Sequence, residues 1–274
     1  MVAEAPDGSS AVNSTLQFDE EASRRVEAIY STPDVVAQRQ AVREALEVKP
    51  GERVLDIGAG PGFLAAELAA SAAPNGAVLG TDISKAMLAI AAARLGSAGG
   101  GELRFEHADA CALPCTDESF DAVVSTQVYE YVEDIAAALS ELARVLRPGG
   151  RALVLDTDWD SIVWHSGDPL RMGRVLDAWG EHLIDPHLPR RLIDLLEEAG
   201  LTVELCRVVP ILNLRSNRNT YSEGMAELIA DFVPGRQGLT EADATAWSED
   251  LDRLSRSGDY FFSLSRYLFL ATKR

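Results

Sequence analysis

The sequence predicts an α/β protein whose mostly parallel sheet carries helices on both faces. Three observations lead there. Short runs rich in Val, Leu and Ile recur from Arg53 onward, Ala- and Leu-rich stretches of helical character lie between them, and Gly, Pro and Asn turns separate the two. Strands covered on both faces read as continuous apolar runs, and strands that alternate with helices assemble side by side in one direction.

Residues 1 to about 18 are polar and small, which predicts a flexible tail ahead of a single domain over 19–274. Thr32-Pro33 supplies an N-cap followed by proline at the first helical position, and Val35, Val36, Val42, Ala45 and Leu46 give that helix an apolar face. Five strands follow at Arg53–Ile57, Ala77–Thr81, Leu103–His107, Ala122–Ser125 and Ala152–Asp156, forming a core over about 48–156. The turns Pro74-Asn75-Gly76 and Arg147-Pro148-Gly149-Gly150 close two of these units.

After Asp156 about thirty residues pass before the next clear helix, Pro189 to Ala199. Connections that long in a compact domain usually carry function. Leu201–Val209 and Phe261–Ala271 read as a sixth and a seventh strand, with amphipathic helices near Tyr221–Phe232 and Thr240–Ser255 between them. The segments at about 157–188 and 215–258 are thus read as insertions that cap the substrate side. The helix pair serves equally as a lid or as a homodimer contact.

The 274 residues include 43 Asp and Glu against 25 Lys and Arg, a formal net charge of −18. Such a charge repels phosphate backbones and anionic lipid, so neither nucleic acid nor a membrane is an expected partner. The first 20 residues hold no cationic and apolar signal pattern, and no apolar run approaches spanning length, which leaves the cytoplasm as the expected location. Cys111, Cys115 and Cys206 are too few for a disulfide framework.

The sharpest motif is Val54-Leu55-Asp56-Ile57-Gly58-Ala59-Gly60-Pro61-Gly62-Phe63, an apolar strand, an acid, alternating glycines and then a helix. Glycines let a backbone approach a ligand closely. A dinucleotide fingerprint would place its third glycine where Phe63 stands, so the spacing argues against NAD. At the end of the second strand, Asp82 lies 20 residues after Gly62, and a carboxylate there suits the two hydroxyls of a ribose. At the end of the third, Asp109 and Ala110 suit an adenine amino group and ring. Together the three segments would read an adenosine.

The run of DIGAGPG, TDIS, ADACALPCTDESFD, STQVYEYVED and LRPGG, over Arg53 to Arg151, resembles the class I methyltransferases of ubiquinone and menaquinone biosynthesis. The resemblance implies a Rossmann-like sheet of seven strands, the last antiparallel, and S-adenosylmethionine as cofactor with S-adenosylhomocysteine as product. It also implies Asp82 as the ribose acid, Asp109 and Ala110 as adenine contacts with Ile83 packing on the ring, and Gly58, Ala59, Gly60 and Gly62 as the bed for methionine and ribose. Asp56 would orient that loop or the methionine amino group, and Gln127 would meet the methionine end. Arg39, on the helix before the sheet, is a candidate for the methionine carboxylate. Family members often carry histidines in the helix after the fourth strand, where this chain has Glu130-Tyr131. That departure weakens a transfer of quinone specificity.

Methyl transfer from a sulfonium is an in-line displacement, in which the enzyme aligns a small-molecule acceptor through oxygen, nitrogen or carbon. Where a base is needed, histidine is the natural candidate, and His165, His182 and His187 cluster in the long connection. His165 and His187 are the candidates for catalysis, joined by Tyr30, which precedes the first helix and can face the reacting methyl. Asp158, Trp159 and Trp164 are candidates for the substrate side, since mixed acidic and aromatic residues suit an amphipathic or cationic molecule. The plainer alternative is a solvated loop with Trp residues as core plugs. No pair shows a tight metal-ligand spacing, so no metal is expected. Alternatives of other classes are a cofactor-binding scaffold without turnover, an NAD-dependent dehydrogenase, and an arsenite methyltransferase using Cys111 and Cys115.

Overall fold

The computed structural model describes residues 20–97 and 101–274, so the tail expected at 1–18 lies outside the described residues. Two helices, α1 (Glu20–Tyr30) and α2 (Pro33–Leu46), precede the sheet, and Pro33 opens α2 as its sequence implied. The alternation then runs β1 (Arg53–Ile57), α3 (Phe63–Ala72), β2 (Ala77–Asp82), α4 (Lys85–Ala91), β3 (Glu102–His107), β4 (Phe120–Thr126), α5 (Ile135–Val145) and β5 (Leu146–Thr157). These five strands are parallel, in the order β3-β2-β1-β4-β5. Between Phe120↔Leu146 and Ala122↔Arg151 the pairing of β4 with β5 shifts, because the Arg147-Pro148-Gly149-Gly150 turn bulges out of β5.

The second half departs from expectation in one respect. A strand pair, β6 (Val163–Trp164), and a twelve-residue helix, α6 (Pro169–Gly180), occupy the segment read as an extended loop. The side chain of Asp168 accepts from the Arg171 amide at 3.0 Å and Pro169 follows as the first helical residue, a start signal overlooked in the sequence. The rest are α7 (Leu192–Glu198), β7 (Leu201–Asn213), α8 (Tyr221–Phe232), α9 (Glu241–Ser257) and β8 (Phe262–Lys273). Among the described residues the sheet therefore has eight strands rather than seven. β8 runs antiparallel between β5 and β7, and β6 extends the β5 edge by pairing with Phe262 and Ser263.

Period-two alternation sends Leu55, Ile57, Val123 and Val154 to one face, where α5 and α7 cover them with Leu139, Leu142, Leu192 and Leu196. Val54, Val78, Val124 and Leu153 face the other way, onto α2 and the Leu64, Leu68 and Ala72 stripe of α3. A third core, with Trp164, Trp179, Trp247 and Phe262 at its centre, joins α6, α8 and α9 over the β7–β8 end. Burying an aliphatic side chain of this kind stabilises by about 1.5–3 kcal/mol, so each layer fixes its strands firmly. No helix among the described residues is long and apolar enough to cross a membrane.

Candidate functional site

The loop after β1 and the ends of β2, β4 and β5 meet at the carboxyl edge of the sheet, where open α/β sheets bind ligands. Gly58, Gly60 and Gly62 all have positive φ, at 69°, 52° and 80°. Their surroundings differ. A Cβ at Gly58 would lie 2.2 Å from Val128 Cγ2, and one at Gly62 would lie 2.6 Å from Phe105 Cζ, so protein packing alone demands glycine there. At Gly60 the added atom would meet the Tyr30 ring at 3.7 Å and nothing nearer. Of these three glycines, Gly60 is the one whose missing side chain leaves room.

The Gly60 amide donates to Asp82 Oδ2 at 2.8 Å, and the Ser84 amide donates to Oδ1 at the same distance. Each carboxylate oxygen keeps a further lone pair for another donor. Burial raises the Asp82 pKa against the lowering effect of those amides. Behind it, Asp56 is buried in β1, and desolvation together with the charge of Asp82 pushes its pKa up to about 8. Its Oδ2 has no hydrogen-bond partner.

Ile83, beside Asp82, is 67 % exposed although large and apolar. At the end of β3, exposed Asp109 accepts from the Cys111 amide at 2.8 Å, which turns the chain past Ala110. Gln127, just after β4, adopts φ 59°; its Oε1 accepts from the Thr157 hydroxyl at 2.7 Å, and its buried Nε2 finds no partner.

A second layer of buried polar groups lies beyond this edge. Glu130, 1 % exposed, accepts from the Trp159 indole at 3.0 Å and the Thr157 amide at 3.3 Å through Oε2, leaving Oε1 unpartnered. Asp156 accepts from the Val128 amide at 3.1 Å, and its Oδ2 is also unpartnered. Burial pushes Glu130 up to about 7 and Asp156 well above the usual carboxylate range. Arg266 of β8 donates to the Tyr221 hydroxyl at 2.8 Å and to Gln38, while its Nε finds nothing. Tyr30 belongs to the same neighbourhood. Burial raises its phenol to about 12, and the charges of Arg266, Glu130 and Asp82 all act on it.

Several residues singled out in the sequence stand elsewhere. The Arg39 guanidinium is engaged by Glu67 at 3.0 Å and the Tyr30 carbonyl at 2.6 Å, and it stacks on Phe63; it fastens α2 to α3 rather than reaching the loop. His165 is exposed and bonded through its backbone to Phe261, outside the polar layer. Trp164 packs edge-on against Trp247 and Phe262 as a core residue. Asp158 is held by Arg190 at 2.7 and 2.9 Å, and His187 sits 3.4 Å from the same carboxylate. Folding gathers Asp158, Asp160 and His187 with ligand atoms within 4.8 Å of one another, a grouping without a short sequence spacing. Arg190 also reaches Asp160 at 2.6 Å, so one guanidinium bridges both acids. Trp159 alone of the substrate-side residues turns into the polar layer.

Glu130 and Tyr131 had stood out in the sequence only as a departure from a pattern, and Asp156, Tyr221 and Arg266 had gone unmarked. Arg266 lies 136 positions after Glu130 and becomes its neighbour only because β8 inserts beside β5. Cys111 and Cys115 are free and partly buried, and burial with nearby carboxylates raises both thiols, the opposite of a thiolate pair built to hold arsenic.

Residues 55–154 match the family described as a methyltransferase domain. The chain is also 32% identical over 258 residues to an uncharacterized 37.1 kDa protein in transposon TN4556 of Streptomyces fradiae, covering 90% of this chain and 70% of that one. Over residues 55–154 the chain carries a methyltransferase domain of the S-adenosylmethionine-dependent kind. A demethylmenaquinone methyltransferase of Thermus thermophilus is 46% identical to this methyltransferase over 123 residues, 45% of this chain and 54% of that protein. The methyltransferase thus spans about half the length of the quinone-modifying relatives it matches. A phosphoethanolamine N-methyltransferase of Haemonchus contortus, solved with S-adenosylmethionine, superposes with a TM-score of 0.60 at 20% identity, covering 94% of this chain and 58% of that one. At that identity the match speaks to the fold.

Proposed function

We propose that this methyltransferase transfers a methyl group from S-adenosylmethionine to a small-molecule acceptor held at the carboxyl edge of its sheet, within one domain over 19–274 whose cap is formed by α6, α8 and α9. The observation that carries the reading is the Gly60–Asp82 link of 2.8 Å, set at the one of the three loop glycines where an added Cβ would clash with nothing, the Tyr30 ring standing 3.7 Å away. In this reading Asp82 receives the ribose hydroxyls through its remaining lone pairs, and Gly58, Ala59, Gly60 and Gly62 form the bed. Ile83, Asp109 and Ala110 take the adenine, which accounts for an exposed isoleucine beside a partly buried acid. The unpartnered Asp56 Oδ2 and Gln127 Nε2 suit the amino and carboxylate groups of the methionine end.

When bound, the cofactor supplies an electrophilic methyl on a sulfonium. The protein's part is to align the acceptor behind that methyl and to exclude water, and positioning of this kind can contribute about 7–11 kcal/mol. Tyr30 closes over Gly60 from above. With its phenol raised to about 12, it stays protonated near neutrality and acts as a donor, not a base. His187 is tied to the Asp158–Arg190 group, whereas the charge of Glu130 acts on Tyr30, which makes that carboxylate the better candidate for holding a proton.

Calorimetric titration with S-adenosylhomocysteine tests the cofactor assignment, with NAD as the comparison. Binding of the former alone is expected. Release of S-adenosylhomocysteine from S-adenosylmethionine in the presence of pooled metabolites then tests turnover, and binding without release across a broad pool would favour a scaffold instead.

A further inference from the structure

We infer that the buried layer of Glu130, Asp156, Trp159 and Tyr131 is the acceptor site and that it takes an organic ammonium, with Glu130 as the group that grips the nitrogen. The inference rests on the methyltransferase reading above. Its first support is a pair of buried carboxylate oxygens without a hydrogen-bond partner, Glu130 Oε1 and Asp156 Oδ2. A buried acceptor left without a partner is destabilising, so two in one neighbourhood call for a ligand that brings donors.

Charge gives the second support. Two carboxylates, on Glu130 and Asp156, act on each other here, and Arg266 is the cation whose charge reaches both. That guanidinium already serves Tyr221 and Gln38. Two acids with one shared cation leave the layer short of one positive charge. Without it, desolvation holds protons on the acids; an ammonium supplies the charge and up to three N–H donors at once.

The walls give the third support. Trp159 meets Trp179 and His182 edge to face, His182 meets Phe232 the same way, and Tyr131 lies tilted beside His182, so Trp159, whose indole donates to Glu130, has an aromatic surround on several sides. Aromatic faces hold the hydrocarbon part of an amine and attract its charge. His182 is pushed down to about 4 by burial and stays neutral, so it does not compete for the acids. Tyr30, Tyr131 and Tyr221, the other titratable groups facing Glu130, are all raised and remain neutral as well. The same carboxylate can then free the nitrogen for attack: an N–H bond breaks, the proton goes to Glu130 Oε1, and the lone pair stays on nitrogen.

The test uses the full chain, phenethylammonium as probe and 2-phenylethanol as its neutral counterpart, followed by tryptophan fluorescence at salt that screens the surface charge. The ammonium is expected to bind and the alcohol to bind at least about tenfold more weakly, as loss of a charged hydrogen bond requires. Glu130→Gln should weaken the ammonium by a similar factor and leave the alcohol unchanged, and Trp159→Phe should remove most of the signal. Equal binding of the two probes by the native protein, or no ammonium binding by protein that takes up S-adenosylhomocysteine, overturns the inference without touching the cofactor reading. Failure to bind S-adenosylhomocysteine strikes the cofactor reading instead. The native comparison needs no variant, so a misfolded Glu130→Gln cannot shield the idea.

Discussion

The amide of Gly60 donates to the carboxylate of Asp82 at 2.8 Å, so the loop after β1 and the end of β2 hold each other in place. Asp82→Ala removes this link and the Ser84 contact along with any ribose contact. S-Adenosylhomocysteine affinity should fall by about 1.5–3 kcal/mol in calorimetry, the range for hydrogen bonds to a charged group. Asp82→Asn keeps one acceptor and should lose less. Equal affinity in all three proteins would remove Asp82 from the ribose.

The loop glycines should separate by assay. Gly58→Ala drives a methyl into Val128 and should lower stability by about 1–3 kcal/mol, as overpacking does. Gly60→Ala meets no such clash; its positive φ costs roughly 1–2 kcal/mol, and the added methyl enters the proposed ligand space. Denaturant unfolding should rank Gly58→Ala as the less stable, while cofactor titration should show Gly60→Ala as the weaker binder relative to its stability.

Asp56 sets a pH dependence of definite sign. Its pKa rises from 3.8 to about 8 on folding, so between those values the native state holds more protons than the unfolded chain. Stability should therefore decline as pH rises through that window. Asp56→Asn should flatten the decline, measured as unfolding midpoints in urea at about pH 5 and about pH 8. A slope unchanged by the substitution would assign the effect to other groups, Glu130 first among them.

Arg266 and His165 make a contrasting pair. Arg266→Leu strips the buried partner from Tyr221, Gln38 and two carboxylates, and a loss of about 3–5 kcal/mol in thermal or chemical unfolding is expected. His165→Ala, at an exposed edge, should stay within about 0.5 kcal/mol and leave cofactor affinity alone. A large effect of His165→Ala would return that side chain to the site.

The first half of the chain was readable because its signals are local. Each strand of the parallel core is one short apolar run, with a glycine loop after β1 and an acid at the end of β2, so Asp82 and the Gly58–Gly62 loop could each be marked for the cofactor on sequence alone, while the bond between Asp82 and Gly60, 22 positions apart, could not. The acceptor side was not readable in the same way. Glu130, Asp156, Tyr221 and Arg266 come from four separate elements, and only the insertion of β8 beside β5 brings them together. Histidines and tryptophans, whose chemistry is versatile, drew attention to 157–188 instead. There α6 formed, and the Trp164 and Trp179 rings went to filling core, as large aromatics usually do.

The place of β8 also bears on how the molecule comes to be assembled. Phe262–Lys273 follows every other described strand in chain order, yet it lies between β5 and β7 rather than at a rim. Until it leaves the ribosome, the β5 edge has no neighbour and β7 has nothing to join, so the nascent protein waits with an open seam through its middle. Contacts that span so much sequence form slowly. A chain stalled just short of Phe262 would expose that seam to other nascent chains, which makes this strand the piece that closes it.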